Sequence, residues 1–190
     1  MSRLEKQTEE LGEVKIVPAT PGDERGIEEV YYTTWLATYP NKKYGVTVAD
    51  VEHYCQREFS EGGLAERQAE IANMPKHRNL LVAKVGGRIV GVCLVVKHPY
   101  VNQLQTIYVL PEYQHQGVGT QLWNEAEKFL DPEKETIVHV AVYNQQAIAF
   151  YKKLGFQEPA GPSENLYLKI GKDKEIPLIV LRLPARSRAL

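Results

Sequence analysis

The stretch Ile107-Tyr108-Val109-Leu110-Pro111-Glu112-Tyr113-Gln114-His115-Gln116-Gly117-Val118-Gly119-Thr120 decides the fold of this chain. Its β-branched start reads as a strand, and Pro111 stops the ladder because proline has no N–H to donate. Two glycines one residue apart then lead into Val118, Leu122, Trp123, Ala126 and Phe129, whose spacings of three and four mark a helix over about 117–130. A strand, a sharp exit and a glycine-bearing loop entering a helix form a place where backbone can approach a ligand closely. The free N–H groups of the first helical turn, with the positive end of the dipole, favour a phosphate there. No lysine–hydroxyl pair follows, which excludes a Walker-type nucleotide loop, and without a third glycine the segment is not a dinucleotide fingerprint either. Two glycines alone read first as an ordinary strand–helix turn that needs flexible residues, so this segment by itself does not establish a ligand site.

Upstream, Leu80–Val85, Gly86-Gly87 and Arg88–Lys97 read as a hairpin, because a diglycine can take φ > 0 at both central positions. A third strand covers about Gln103–Leu110. Nearer the N-terminus, Glu13–Pro18 alternates like a strand, and Ile27, Val30, Tyr31 and Trp35 give an amphipathic helix ending before Pro40. Residues 41–74 read as one or two helices around Gly62-Gly63, the first starting at Thr47 with Asp50 three residues on, close to a capping box. Downstream come a strand Thr136–Tyr143, a helix Asn144–Leu154 and final strands at Phe156–Gln157, Asn165–Ile170 and Leu178–Leu183, the last two joined by Gly171-Lys172-Asp173. Residues 1–12 are polar and aperiodic and read as a loose tail, leaving 13–190 as a single domain. The order predicts a mixed α/β fold.

Composition bounds the function. The chain has 190 residues, 23 Lys plus Arg against 24 Asp plus Glu, and a formal charge of −1, which weighs against a dedicated nucleic-acid binder. Cys55 and Cys93 sit in no CxxC pair, which excludes a disulfide scaffold and a zinc ribbon; no metal is expected. No apolar run approaches the ~20 residues of a membrane span, and Met1 opens a polar stretch rather than a signal peptide. The expectation is a cytoplasmic protein without membrane contact.

A second stretch supports the ligand reading. Asn144 follows a strand and is placed to cap the next helix. Tyr151 lies seven residues later, two helical turns, so the two share one side of the helix to within ~20°. Ala147 lies between them, small enough to let an extended ligand pass. Isolated from the rest, Phe150, Tyr151 and Leu154 would also read as core.

Together, Gln114-x-x-Gly117-x-Gly119 and Asn144-x-x-Ala147-x-x-Phe150-Tyr151-x-x-x-Gly155-Phe156 resemble the GCN5-related N-acetyltransferase superfamily, closely over about 80–156 and weakly before Asn79. The resemblance implies an acyltransferase fold with a mostly antiparallel central sheet flanked by helices. It also implies an acetyl-CoA co-substrate and transfer of acetyl to a primary amine by direct attack in a ternary complex. Carried over, the amides around Gln114, His115, Gln116, Gly117, Val118, Gly119 and Thr120 would bind the pyrophosphate. Tyr108 and Val109 would pair with the pantetheine arm, Asn144 would hold its amide region with Ala147 alongside, and Tyr151 would sit near the sulfur.

Acetyl transfer needs a neutral amine, a stabilised oxyanion and a protonated leaving thiolate. An alkylammonium of pKa about 10.4 is neutral only about one part in 10³ at pH 7, an offset of roughly 4–5 kcal/mol. The resemblance implies a backbone N–H near Val109 as oxyanion donor. Tyr151, a phenol with an ordinary pKa near 10 against about 8.5 for a thiol, can donate the proton. The base is unassigned. Relatives often carry a glutamate on the strand before the loop, and the matching residue here is Gln103. Glu112, His53 and His139 are candidates by type only, and His139 between two valines reads first as structural.

Acceptor specificity would come from the N-terminal helices and the last hairpin. Trp35, Tyr39 and Tyr167 are the candidate pocket residues, with Tyr44 and Tyr54 nearby, able to hold a cation over an aromatic face. Trp35 and Tyr31 read equally as helix packing. Asp50, Glu52, Glu58 and Glu61 would suit a polyamine-like acceptor or would form a solvated face. Three functions stay open: acetylation of a small-molecule amine (the leading reading), acetylation of a protein N-terminus or lysine, and a non-catalytic acyl-CoA sensor. A homodimer is also left open.

Overall fold

The computed structural model describes residues 12–158, 166–170 and 174–186. The expected tail, apart from Gly12, and the expected turn Gly171-Lys172-Asp173 lie outside the described residues. In chain order the elements are β1 (Val14–Pro18), α1 (Glu24–Thr38), α2 (Val48–Gln56), α3 (Glu61–Ala72), β2 (Arg78–Val85), β3 (Arg88–Lys97), β4 (Asn102–Val109), α4 (Val118–Glu127), β5 (Thr136–Ala141), α5 (Gln145–Lys153), β6 (Leu166–Ile170) and β7 (Lys174–Leu183). The ambiguous segment 41–74 resolves into two helices. Thr47 and Asp50 form a full capping box at α2: the Asp50 amide donates to Thr47 Oγ1 and the Thr47 amide donates to the Asp50 carboxylate at 2.7 Å. Gly86 and Gly87 turn the β2–β3 hairpin with φ of +57° and +86°.

Two expectations at the C-terminal end differ. Phe156–Gln157 forms no strand; Gln157 makes one bridge to Arg182, while Phe156 turns inward at 2% exposure and packs edge-on against Trp123. Core packing, rather than a ladder, holds that segment. The last strand starts at Lys174, four residues earlier than Leu178, and passes through Pro177, whose carbonyl still accepts from Val142.

The sheet has seven strands in the order β1-β2-β3-β4-β5-β7-β6, antiparallel at every junction but one. The exception is β4–β5, parallel, and paired only at Asn102–Thr136, Gln103–Ile137 and Leu104–Val138. Beyond Leu104 and Val138 the two strands part, because β4 stays paired to β3 as far as Val109 and β5 stays paired to β7 as far as Ala141. A register shift at Leu94/Val95 of β3 lies opposite the parting point; such an irregularity raises local twist and swings the outer half of β4 away. The closed end is clamped by Asn102, fully buried, whose amide donates to Asp131 O at 2.7 Å and to Lys134 O and whose Oδ1 accepts from Asp131 N. A buried amide with its bonds made is worth keeping in place, since an orphaned one would cost ~1–3 kcal/mol.

The main core joins β2–β5 to α1, α4 and α5 through residues such as Ile27, Val30, Val92, Leu104, Leu122 and Val138. A smaller apolar cluster brings Tyr39, Val51 and Cys55 against Ala141, Ile170 and Ile176. The alternation of β5 therefore sends Val138 and Val140 to the main core and Ala141 to the smaller cluster.

Candidate active site

A cavity of about 510 Å³ occupies the parting between β4 and β5. Thr106 and Ile107 line it from β4, His139 and Val140 from β5, Gly117 from the loop and Tyr151 from α5. Backbone order on β4 follows from one bond: Leu110 donates its N–H to Val90 of β3. Because neighbouring residues of a strand turn their N–H and C=O to opposite sides, the polar groups of Val109 and Ile107 face away from β3, into the gap. Tyr108 turns its backbone to β3 instead and reaches the cavity through its side chain.

The loop uses its two glycines differently: Gly117 takes a left-handed turn, whereas Gly119 lies within α4, where a Cβ would come to 3.3 Å from the Phe150 ring. After a 3-10 turn at Pro111–Tyr113 the chain passes through His115 with φ +60° and Gly117 with φ +83°, and Gly117 is the N-cap of α4. The backbone N–H groups of residues 115–120 have no acceptor among the described residues, whereas Gln121 already donates to Gly117 O. Unsatisfied donors at the positive end of a helix dipole suit an anion. Gln114 stiffens the loop from within: its Nε2 donates to Val109 O at 2.9 Å, and its Oε1 accepts from Gln146 of α5 at 2.8 Å. Gln116 donates to Glu112 O.

On α5, Asn144 caps the helix as expected, its Oδ1 accepting from Ala147 N at 3.0 Å. The cap uses Oδ1, so the amide Nδ2 is what Asn144 can offer a ligand. Ala147 and Tyr151 line the cavity on the same helix face. Tyr151 is 6% exposed, and burial pushes its phenol well above the ordinary value. Its hydroxyl has no hydrogen-bond partner among the described residues. A phenol in this setting keeps its proton and can donate it into the cavity.

Of the three expected acceptor residues, the structure brings only Tyr39 to the cavity. The Tyr39 hydroxyl lies 3.0 Å from that of Tyr108, and Tyr143 donates to Tyr39 O at 3.0 Å. Burial raises both the Tyr39 and the Tyr108 phenols. Trp35 stands behind, edge-on to Tyr39 at 4.7 Å and stacked on Tyr54 at 4.9 Å, with its indole Nε1 buried and unbonded among the described residues. Tyr167 is half exposed on β6, away from the cavity. Gln103 lies on the paired part of β4, bonds His98 at 3.0 Å and does not line the cavity. His139, by contrast, is an exposed residue of β5 on the cavity wall. The sequence leaves it a candidate by type only, because strand neighbours cannot reveal where two strands part. Among the described residues the cavity wall carries no Asp or Glu, no cluster could hold a metal ion, and no helix is long and apolar enough to cross a membrane.

Comparison with known proteins bears on the family and the fold. Residues 48–156 match the model of the Acetyltransferase (GNAT) family. The chain is 34% identical over 86 residues to the uncharacterized N-acetyltransferase MJ1207 of Methanocaldococcus jannaschii, covering 40% of this chain and 38% of that protein. It is 31% identical over 103 residues to the N-alpha-acetyltransferase RimI of Mycobacterium tuberculosis, covering 51% and 63%. The chain thus spans less than two thirds of the length of these curated relatives. The crystal structure of PaiA N-acetyltransferase from Thermoplasma acidophilum in complex with coenzyme A superposes with a TM-score of 0.66 at 20% identity, over 90% of this chain and 99% of that one, and shares the fold.

Proposed function

This chain belongs to the Acetyltransferase (GNAT) family, and we propose that it transfers an acetyl group from acetyl-CoA to a primary amine by direct attack in a ternary complex. The observation that carries the reading is the row of unbonded amides at 115–120, set where β4 and β5 part. Those amides and the α4 dipole hold the pyrophosphate. Ile107 offers its backbone groups to the extended arm as an added strand would, Val109 O being already held by Gln114 Nε2, with Ala147 leaving room and Asn144 Nδ2 available to a carbonyl. Acetyl-CoA supplies the activated acetyl group as a thioester. The Val109 N–H stabilises the charge that develops on the acetyl oxygen. Tyr151 protonates the departing sulfur.

The acceptor we favour is an α-amino group, as at a peptide N-terminus, over a polyamine-like amine. An α-ammonium has an ordinary pKa of about 7.7–8.0, so its neutral form costs only ~1 kcal/mol at pH 7, against roughly 4–5 kcal/mol for an alkylammonium. A cavity wall without carboxylates among the described residues suits the weaker demand and gives a multiply charged amine no counter-charge. The name of the Mycobacterium tuberculosis relative, an N-alpha-acetyltransferase, points the same way. Tyr39 and the Tyr108 hydroxyl beside it shape the acceptor end, with Trp35 bracing Tyr39.

A thiol-release assay with acetyl-CoA over short peptides, amino acids, polyamines and aminoglycosides tests this, alongside a thermal shift with coenzyme A. Release with peptides bearing a free α-amine, and none when that amine is blocked, is the expected result. Preference for polyamines would overturn the acceptor class and keep the transferase. A shift without turnover on any amine would leave an acyl-CoA sensor.

A further inference from the structure

We infer that the His139 imidazole is the base that takes the acceptor's ammonium proton; this rests on the acetyltransferase reading above. Leu104 and Val138 are the last residues at which β4 and β5 pair. The next residue on each strand, Gln105 and His139, therefore stands at the root of the parting. Both are exposed and both line the cavity, whereas Leu104 and Val138 are buried in the main core. Alternation places His139 on the same face of β5 as Ala141, which packs into the cluster formed with the end of α1 and with α2. That is the side from which Thr38 and Tyr39 close the cavity, and an amine entering along those helices meets the imidazole at the strand fork.

The other groups are poorer bases. Gln103, where a carboxylate would be expected on β4, has no useful basicity and is turned to His98. His115 lies within the amide row, its Nε2 3.4 Å from Gln146 Nε2. The phenols of Tyr39, Tyr108 and Tyr151 are held protonated by burial. Among the described residues, the remaining titratable group on the cavity is Lys153 of α5. From β7, Val180 stands opposite His139, and Arg182, two residues along, is bonded to Glu135. An imidazole titrates in the range where an α-ammonium begins to release its proton, which matches donor and acceptor in strength.

The protons balance. His139 accepts one proton from the α-ammonium, freeing the lone pair. The nitrogen–carbon bond forms as the carbon–sulfur bond breaks, and Tyr151 gives its proton to the sulfur. The nitrogen's second proton restores Tyr151, and the proton on His139 leaves to water. The net reaction releases one proton per acetyl group transferred.

The test compares wild type with His139→Asn and His139→Glu on a peptide with a free α-amine. His139→Asn is expected to lower kcat/KM on the order of 10²-fold near pH 7, with the defect shrinking as the pH nears about 9, where the amine is already neutral in water. Affinity for coenzyme A should stay within about twofold, since the amide row is untouched. His139→Glu should retain most activity and carry the acid limb of the profile to lower pH, as a carboxylate titrates lower than an imidazole. Wild-type rate and an unchanged pH profile in both variants would overturn the assignment. If His139→Asn fails to fold by thermal melt, an unmoved acid limb in His139→Glu overturns it equally. Absence of turnover in wild type on every amine would refute the acetyltransferase reading itself, a result distinct from loss in the variants alone.

Discussion

The hydroxyls of Tyr39 and Tyr108 lie 3.0 Å apart, joining the end of α1 to the open half of β4. Tyr108 is also held edge-on against Tyr31 at 5.4 Å, so its ring has little freedom to follow a lost partner. Replacing Tyr39 by Phe leaves the part-buried Tyr108 hydroxyl without its bond and should destabilise the protein by ~0.5–1.5 kcal/mol. Replacing both by Phe should cost less than the sum of the single changes, as expected for two ends of one bond. Urea unfolding of the three variants measures the cycle; strict additivity would mean that the two hydroxyls do not support each other.

Tyr151 faces the cavity with its phenol raised by burial. A raised value means the proton is kept through neutral and mildly alkaline pH and is lost only beyond that. Turnover should therefore show no decline between about pH 7 and 9 traceable to this group. Tyr151→Phe should lower kcat on the order of 10²-fold while leaving coenzyme A affinity within about twofold. Calorimetry for binding and thiol release for rate separate the two, and unchanged kcat would remove the proposed acid.

Gly117 sits at φ +83° with open space where a Cβ would stand, so the cost of an added methyl is conformational. Gly117→Ala should destabilise the fold by ~1–2 kcal/mol and weaken coenzyme A binding, because the amide row loses its turn. Titration with coenzyme A reads the second effect; affinity equal to wild type would show that the amides hold their places without the left-handed residue.

Gly62 and Gly63 are adjacent in the first turn of α3 yet should respond with opposite sign. A Cβ on Gly62 meets only Ser60 Oγ at 3.8 Å, whereas one on Gly63 would lie 2.3 Å from Arg57 O and 2.8 Å from the backbone of Glu58. Gly62→Ala should stabilise by ~0.5–1 kcal/mol through helix propensity. Gly63→Ala forces the α2–α3 connection apart and should lower the melting temperature by several degrees, a shift of about 2–4 °C per kcal/mol at this size. Equal responses in a thermal melt would contradict the packing.

Asp50 receives hydrogen bonds from Lys174 and Thr47, which hold its carboxyl at about 2, below the ordinary range. A depressed folded value means the contribution is present above about pH 4 and disappears as the pH falls toward about 2. Asp50→Asn should therefore flatten the acid limb of stability in that window and leave the slope unchanged above it. Melting temperatures across the window check this; an unchanged acid limb would show that the pairing with β7 contributes nothing.

Local chemistry is what the amino-acid order determined on its own. Thr47 and Asp50 cap α2, Gly86-Gly87 turns a hairpin, Gly117 starts α4 and Asn144 caps α5, because each depends on backbone geometry within a few residues. The same local character made the Gln114–Thr120 loop and the Asn144–Tyr151 helix face legible. Tertiary structure alone decided how far β4 and β5 run together, and with it which side chains meet in the gap. Trp35 braces rather than lines the cavity, Tyr167 stays on an outer strand, and His139 stands at the fork. Strand separation depends on competing partners, β3 for one strand and β7 for the other, far apart along the chain. No period or motif within β5 encodes where its neighbour leaves it.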